Sequence, residues 1–481
     1  MKPPRLTLAV GVALTIASGI KKAHSASLPL ASFLDQVRSQ HQGYRAAIDA
    51  SRGAELQSTE AALLLHPQLS FEGQILSDAR PQLNRFVPQK TDSTGFKLGV
   101  TQQLPLGIQT QFSYQFSHIQ LDIPPSTASF FNVGSYYDAI PSLELTIPLA
   151  RGRGGSEFQA TQIALQSSKL IVHFQEVFRA QTILLEAEWS YWRLALAREA
   201  VKIQRRVLQR SQFLENWAKD RLKLKLGDTS DLLQAKASRS SRELELKNAL
   251  DEERLATQNF NTFRGREALE AVPALSPLGA ASTEPLAPLD LHRTARADLQ
   301  AAEQLQMQGF AHATQSFESN RPKIDFFASL SLNGRAESAS EAIKRGWDFD
   351  QKTSVIGVRV VSTLDFWNRS KASSGALQER DSTTLGYDRK RFEYEQEWME
   401  LNSRLKEAQT RLKLTQELAT LHSAKLERDR DKLKRGRSTT FQVIQFENDA
   451  ALAELNALRA RLEVIRVRAH LATFATPAPP S

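Results

Sequence analysis

Two periodicities divide the chain. In the first, apolar and polar residues alternate: Leu69, Phe71, Gly73 and Ile75 with Ser70, Glu72 and Gln74, then Phe112, Tyr114 and Phe116 with Gln111, Ser113 and Gln115, then Leu143, Leu145 and Ile147. Successive side chains of a strand point to opposite faces, so the pattern predicts strands over about 67–77, 95–104, 108–121 and 139–149. Ile324, Phe326, Ala328, Leu330 and Leu332, and later Val358 and Val360, continue it. One greasy face and one rich in Gln, Ser and Asn suit a transmembrane barrel with lipid outside and water inside. A soluble antiparallel sheet gives the same alternation.

The second periodicity is the heptad. Ile163, Leu170, Val177, Leu184 and Tyr191 recur every seven residues, and Ala187, Leu194, Val201 and Leu208 form a second row. From Glu157 to Leu226 there is neither proline nor glycine, about 70 residues of helix or roughly 105 Å at 1.5 Å per residue. Trp398, Leu405, Leu412, Ala419, Leu426 and Leu433 make a matching row in the second half. These rows are coiled-coil seams. Return helices are expected over about Asp231–Arg264 and Phe441–Ala472, so that each half ends in a long antiparallel hairpin. The polar outer faces and the length suit an aqueous gap rather than a bilayer core of about 30 Å.

The hairpins turn at Gly227, Asp228, Thr229 and Ser230 and at Gly436, Arg437, Ser438 and Thr439. Lys223, Leu224, Lys225 and Gly227 are echoed 209 residues later by Lys432, Leu433, Lys434 and Gly436, which predicts that Gly227 and Gly436 end their helices. "YRAA" (44–47) and "HPQLSF" (66–71) are echoed 255 residues later by "LQAA" (299–302) and "RPKIDF" (321–326). Helix, strands, long helix, tip and return helix therefore occur twice. The expected layout is a repeat over 27–265, a Pro/Ala-rich linker over 266–287, a second repeat over 288–473 and a short tail over 474–481.

Composition changes this picture at three points. Lys2 and Arg5 precede an apolar run from Leu6 to Ile20 and small residues near Ala26, which reads as a secretory signal over 1–26. That segment holds four cations and no acid, so the formal net charge of +9 falls to +5 once it is removed. The 481 residues include no cysteine, so an exported chain of this sequence holds together by packing alone. No later apolar run reaches the roughly 18 residues of a transmembrane helix, which leaves strands as the only way into a bilayer.

Other chemistry is weakly represented. "RGRGG" (151–155) lacks the third glycine of a dinucleotide loop and follows a strand, so it reads as a tight strand-to-helix turn. The nine histidines form no HExxH or ligand-like cluster. No nucleophile, base and acid group together. The basic run Arg430, Lys432, Lys434, Arg435 and Arg437 sits at a coiled-coil tip, where a solvated end or an acidic partner surface explains it. The residues indicate neither enzyme nor cofactor, neither metal nor nucleic acid.

The order of these elements resembles the TolC family of outer-membrane efflux and secretion channels. "RADLQAAE" (296–303) resembles that family's R-P-D-L-x-A-A-E, and "LTIPLARGRG" (145–154) resembles its strand-to-helix Q-P-L-L-R-G-x-G. The resemblance implies an α plus membrane-β fold. In it, a homotrimeric barrel lies in outer-membrane lipid and continues into an α-helical tunnel across the periplasm of a Gram-negative cell. It implies an exit duct of a tripartite pump or type I system, energised by an inner-membrane pump or ABC exporter through a periplasmic adaptor docked on the tips. Two departures stand out. Four strand-like stretches occupy the first half where the family plan needs two, and the positions at which some relatives place constriction aspartates carry Gln442 and Gln445. An exported coiled-coil protein without a pore is the competing reading.

Overall fold

The computed structural model describes residues 27–80, 88–123, 134–281 and 296–475. The expected signal over 1–26, residues 282–287 of the expected linker and 476–481 of the tail lie outside them. The element order is α1 (Leu30–Gln40), α2 (Gln42–Ser58), α3 (Glu60–Leu63), β1 (Gln68–Asp78), β2 (Lys90–Gln103), β3 (Gln109–Asp122), β4 (Ser135–Pro148), α4 (Ser156–Lys223) and α5 (Thr229–Phe263). It continues with α6 (Ala297–Ser319), β5 (Lys323–Leu332), β6 (Gly334–Ala336), α7 (Ala339–Arg345), β7 (Lys352–Val361), α8 (Phe366–Lys434) and α9 (Thr440–Ala475). Helices, strands, a helix of 68 or 69 residues and a return helix thus follow one another twice.

The chain separates into two compact units that do not follow the two halves of the sequence. One holds the described residues of 42–185, 284–407 and 467–481 and carries every described strand. Its strands form one antiparallel sheet in the order β1-β2-β3-β4-β5-β7, with short β6 beside β4. Both extra strands of the first half belong to this sheet. Directly paired residues share a face. One cross-strand row reads Leu69, Val100, Phe112, Leu143, Leu330 and Ser354, and the next row, on the opposite face, reads Ser70, Gly99, Ser113, Ser142, Ser331 and Thr353. The alternation seen in single strands is therefore in register from β1 to β5, and the apolar row ends in Ser354 on β7. Near its far end α7 covers Ala139, packing Ala336 and Ala342 against it, while Trp347 stacks on Tyr114 at 6.2 Å.

The sheet hands over to α4 through the glycine turn. Gly152, Gly154 and Gly155 all have positive φ, and a Cβ on Gly155 would stand 1.9 Å from the Pro105 carbonyl oxygen. Only glycine fits there. Arg151 pairs with Glu157, its Nε lying 2.9 Å from Oε2, and the Gly152 amide donates to Glu318 at 3.0 Å.

The second unit holds the described residues up to His41 with 186–281 and 408–466, and it contains both hairpin turns. Ala187, Leu194 and Val201 of the α4 heptad row are buried, as are Leu412, Leu426 and Leu433 of α8. Each such large side chain contributes roughly 1.5–3 kcal/mol by leaving water. An aromatic knot closes the unit: Phe33 stacks on Phe260 at 4.4 Å and meets Tyr191 at 5.6 Å. The Tyr191 hydroxyl donates to the Leu28 carbonyl and accepts from the Ser276 amide.

Candidate docking tips and constriction

Each hairpin turn spans five residues, 224–228 and 435–439. Structurally equivalent positions are therefore 211 apart, and the sequence echo at 209 is slipped by two. In the first turn the amides of Leu226 and Lys225 donate to the carbonyls of Arg221 and Leu222 at 2.9 and 3.0 Å. In the second, Arg437 and Gly436 donate to Lys432 and Leu433 at 2.8 and 2.9 Å. Both are the paired bonds of a Schellman cap, which needs a left-handed residue one position past the helix. At the second tip that residue is Gly436, with φ 72°. At the first it is Lys225, with φ 55°, and not Gly227. Gly227 does not end its helix as the echo predicted; it follows the cap, close enough to Arg221 that a Cβ would approach that side chain's Cβ at 3.2 Å.

The two N-caps differ as well. Thr439 precedes α9, its hydroxyl accepts from the Gln442 amide at 3.3 Å, and the Gln442 side-chain oxygen accepts from the Thr439 amide at 3.4 Å. This is a reciprocal capping box. Ser438 adds a bond to the buried carboxylate of Asp429 at 2.7 Å and another to the Gln442 side chain at 3.1 Å. Asp228 precedes α5 without any side-chain cap bond; its carboxylate accepts from the Ser230 hydroxyl at 3.1 Å. Of the two candidate constriction residues, Gln442 is thus engaged in the helix cap, whereas Gln445 stands exposed one turn further along. Thr229, Ser230, Arg437 and Thr439 are exposed.

Packing behind the tips is unequal. Val443, Ile444 and Ala450 of α9 join Leu214, Leu426 and Leu433 in a buried cluster flanked by Trp217 and Phe446. At the first tip Leu224, Leu226 and Leu233 remain 68%, 64% and 61% exposed. Both tips expose charge; the first adds three leucines and the second a single large apolar side chain, Phe441, 54% exposed.

One residue that the sequence reading passed over lies just beyond the second cap. Glu447 is buried, and its Oε1 has no hydrogen-bond partner among the described residues. Burial raises its pKa to about 7, against the pull of Arg430, Arg210 and Arg242 and with a small push from Glu427. The signal was available: Glu447 falls three and four residues after Ile444 and Val443, inside an apolar stripe.

A contrasting buried cluster in the sheet-bearing unit explains the "RADL" motif. Arg296 holds Asp298 through two bonds of 2.8 and 2.9 Å and Glu397 through one of 2.8 Å, with the Phe474 ring 4.5 Å from its guanidinium. Lys390 reaches Asp298 at 2.9 Å, and His470 lies 3.2 Å from Glu397. His470 first, and Arg296 against the opposing effect of burial, hold the Glu397 carboxyl down at about 2. Every charge in this group is paired, so it locks α6, α8 and α9 together rather than offering a reactive centre. Among the described residues no group of three or more His, Cys, Asp or Glu side chains is placed to hold a metal, and no helix is long and apolar enough to cross a membrane.

No protein-family model and no curated protein matches the chain. Solved structures do. The open state of the Neisseria gonorrhoeae MtrE outer membrane channel is similar with a TM-score of 0.66 at 14% identity, over 99% of this chain and 98% of that one. The outer membrane protein VceC from Vibrio cholerae gives 0.65 at 14% identity, over 94% and 97%. The Campylobacter jejuni CmeC outer membrane channel gives 0.61 at 11% identity, over 98% and 93%. The chain therefore has, along nearly its whole length, the fold of these outer-membrane channels: long helical hairpins combined with an antiparallel sheet.

Proposed function

We propose that the chain is one subunit of a homotrimeric exit duct in the outer membrane of a Gram-negative cell, extending into the periplasm. The observation that carries this reading is the sheet: one face is greasy, the other polar, and β1 and β7 each keep an unpaired edge. Unpaired backbone groups are not tolerated against lipid, so such a sheet enters a bilayer only by pooling strands with other copies. A second observation points the same way. Leu385, Phe392 and Met399 on α8 recur every seven residues and are 68%, 61% and 53% exposed, a coiled-coil seam left largely uncovered by the described residues.

The likeness to channels named as outer-membrane proteins supports the location. In this reading the duct is passive, and an inner-membrane pump or ABC exporter supplies the energy through a periplasmic adaptor. The adaptor docks on the tips, Gly227, Asp228, Thr229 and Ser230 with Gly436, Arg437, Ser438 and Thr439, and its grip comes from the exposed leucines of the first and the cations of the second. The narrow end is ringed by Gln445, backed by Gln442 in its cap. No catalytic step is assigned to any residue.

Fractionation and mass measurement in mild detergent test the assembly. The proposal expects the protein in the outer-membrane fraction, extracted only by detergent, at three times the chain mass. A protein released by salt or alkali without detergent would support a coiled-coil role without a pore instead.

A further inference from the structure

We propose that β1 of one copy pairs with β7 of the next, so that three copies close one barrel of eighteen strands. The inference rests on the trimeric reading above and adds to it which strands meet and how many there are. Three features of the sheet carry it. First, the two strands of the first half that exceed a four-strand contribution are not a separate lobe: β1 pairs with β2 over eleven consecutive positions and β2 with β3 over fourteen. Second, β2, β3, β4 and β5 are bonded on both sides, which among the described residues leaves β1 and β7 as the only long strands with a free edge. They are of similar length, 11 and 10 residues.

Third, the path contains six strands and every neighbouring pair is antiparallel, so β1 and β7 run in opposite directions. Joining them between copies keeps the whole barrel antiparallel, as an even-stranded outer-membrane barrel requires. It also matches faces. Leu69, Phe71 and Ile75 on β1 share the greasy face that reaches Ile356, Val358 and Val360 on β7, and these two trios are the most solvent-exposed aliphatic and aromatic groups of the sheet. The occupant of each edge is thus a second copy presenting the opposite edge. A barrel of this count falls in the range of about 16–18 strands that leaves an open aqueous lumen.

The natural absence of cysteine makes disulfide mapping unambiguous. Leu69→Cys, Phe71→Cys and Ile75→Cys are each combined with Ile356→Cys, Val358→Cys or Val360→Cys in one chain and oxidised in outer-membrane preparations. Facing cysteines of neighbouring strands bring Cβ atoms to about 3.5–4.5 Å, within disulfide reach. The inference expects covalent dimers and trimers from at least one pair. It expects none when Phe112→Cys on β3 replaces the β1 cysteine. Deleting residues 68–103 should abolish insertion of the trimer. Inserted trimers that cross-link at no β1–β7 pair, that link β3 to β7, or that survive the deletion with transport intact would overturn the eighteen-strand barrel while leaving the duct standing. A protein that is neither trimeric nor inserted would overturn the duct, and the barrel with it.

Discussion

The two hairpin tips make the same five-residue turn with different chemistry. The second has glycine in the left-handed position, a capping box and a buried apolar cluster behind it. The first puts Lys225 in the left-handed position, has at its N-cap an Asp228 whose side chain makes no cap bond, and leaves three leucines in solvent. Identical backbone geometry therefore does not imply equal local stability. The second tip is capped by its own side chains and packed against Leu214 and Trp217 of α4, whereas the first leaves its leucines in solvent, where the proposed docking would cover them.

The largest test of this contrast is Glu447, whose equivalent 211 positions earlier is the exposed Lys236. Its folded pKa of about 7 lies above the ordinary value of 4.5. The folded state therefore retains a proton that the unfolded state gives up. Stability at the second tip is fullest below pH 4.5, falls as pH rises to 7 and stays low above that. The span is at most about 3 kcal/mol. Hydrogen exchange of the α9 amides should weaken from pH 5 to pH 8 in the parent, after correction for intrinsic exchange, and the change should vanish in Glu447→Gln. Glu397, held at about 2 by its partners, works in the opposite sense. Its contribution is present above pH 4.5 and is lost only as pH falls toward 2.

Next in size is the left-handed residue itself. Gly436→Val forces a β-branched side chain into that region and should loosen the end of α8 by about 1–2 kcal/mol. Thr439→Ala removes half of the capping box and should weaken the start of α9 by about 1 kcal/mol, whereas Asp228→Ala should change α5 by less than about 0.5 kcal/mol. Lys225→Gly relieves strain at the first tip and should tighten it by roughly 0.5–1 kcal/mol. Segment-resolved exchange reads all four. Equal responses at the two tips would dissolve the distinction. The smallest effect in energy concerns selectivity: Gln445→Asp should introduce block by divalent cations applied at the narrow end, and an unchanged current would place the constriction elsewhere.

The strands were largely legible because alternation is a local signal. β1 was expected over about 67–77 and spans Gln68–Asp78. β2 begins at Lys90, earlier than expected, because Lys90, Thr91, Asp92 and Ser93 are polar on both faces and hide the period. Helix α7 was missed for its shortness; seven residues carry no periodic signal. At the tips the chain was read by its letters, and the K-L-K-x-G echo suggested equivalence at 209. The cap is fixed instead by which backbone amides reach back to which carbonyls, and that places Lys225 opposite Gly436. The role of Arg296 was invisible for a related reason, since Glu397 and His470 are more than a hundred residues away in the chain.

The central claim is that the chain forms a pore. Single-channel recording of the purified protein in planar bilayers tests it most directly. A trimeric duct gives discrete, reproducible conductance steps carried by a species that runs as a trimer, and they are lost when the trimer is dissociated. Trimers that insert into the bilayer and never conduct, or a dissociated monomer that conducts as well as the trimer, would contradict it.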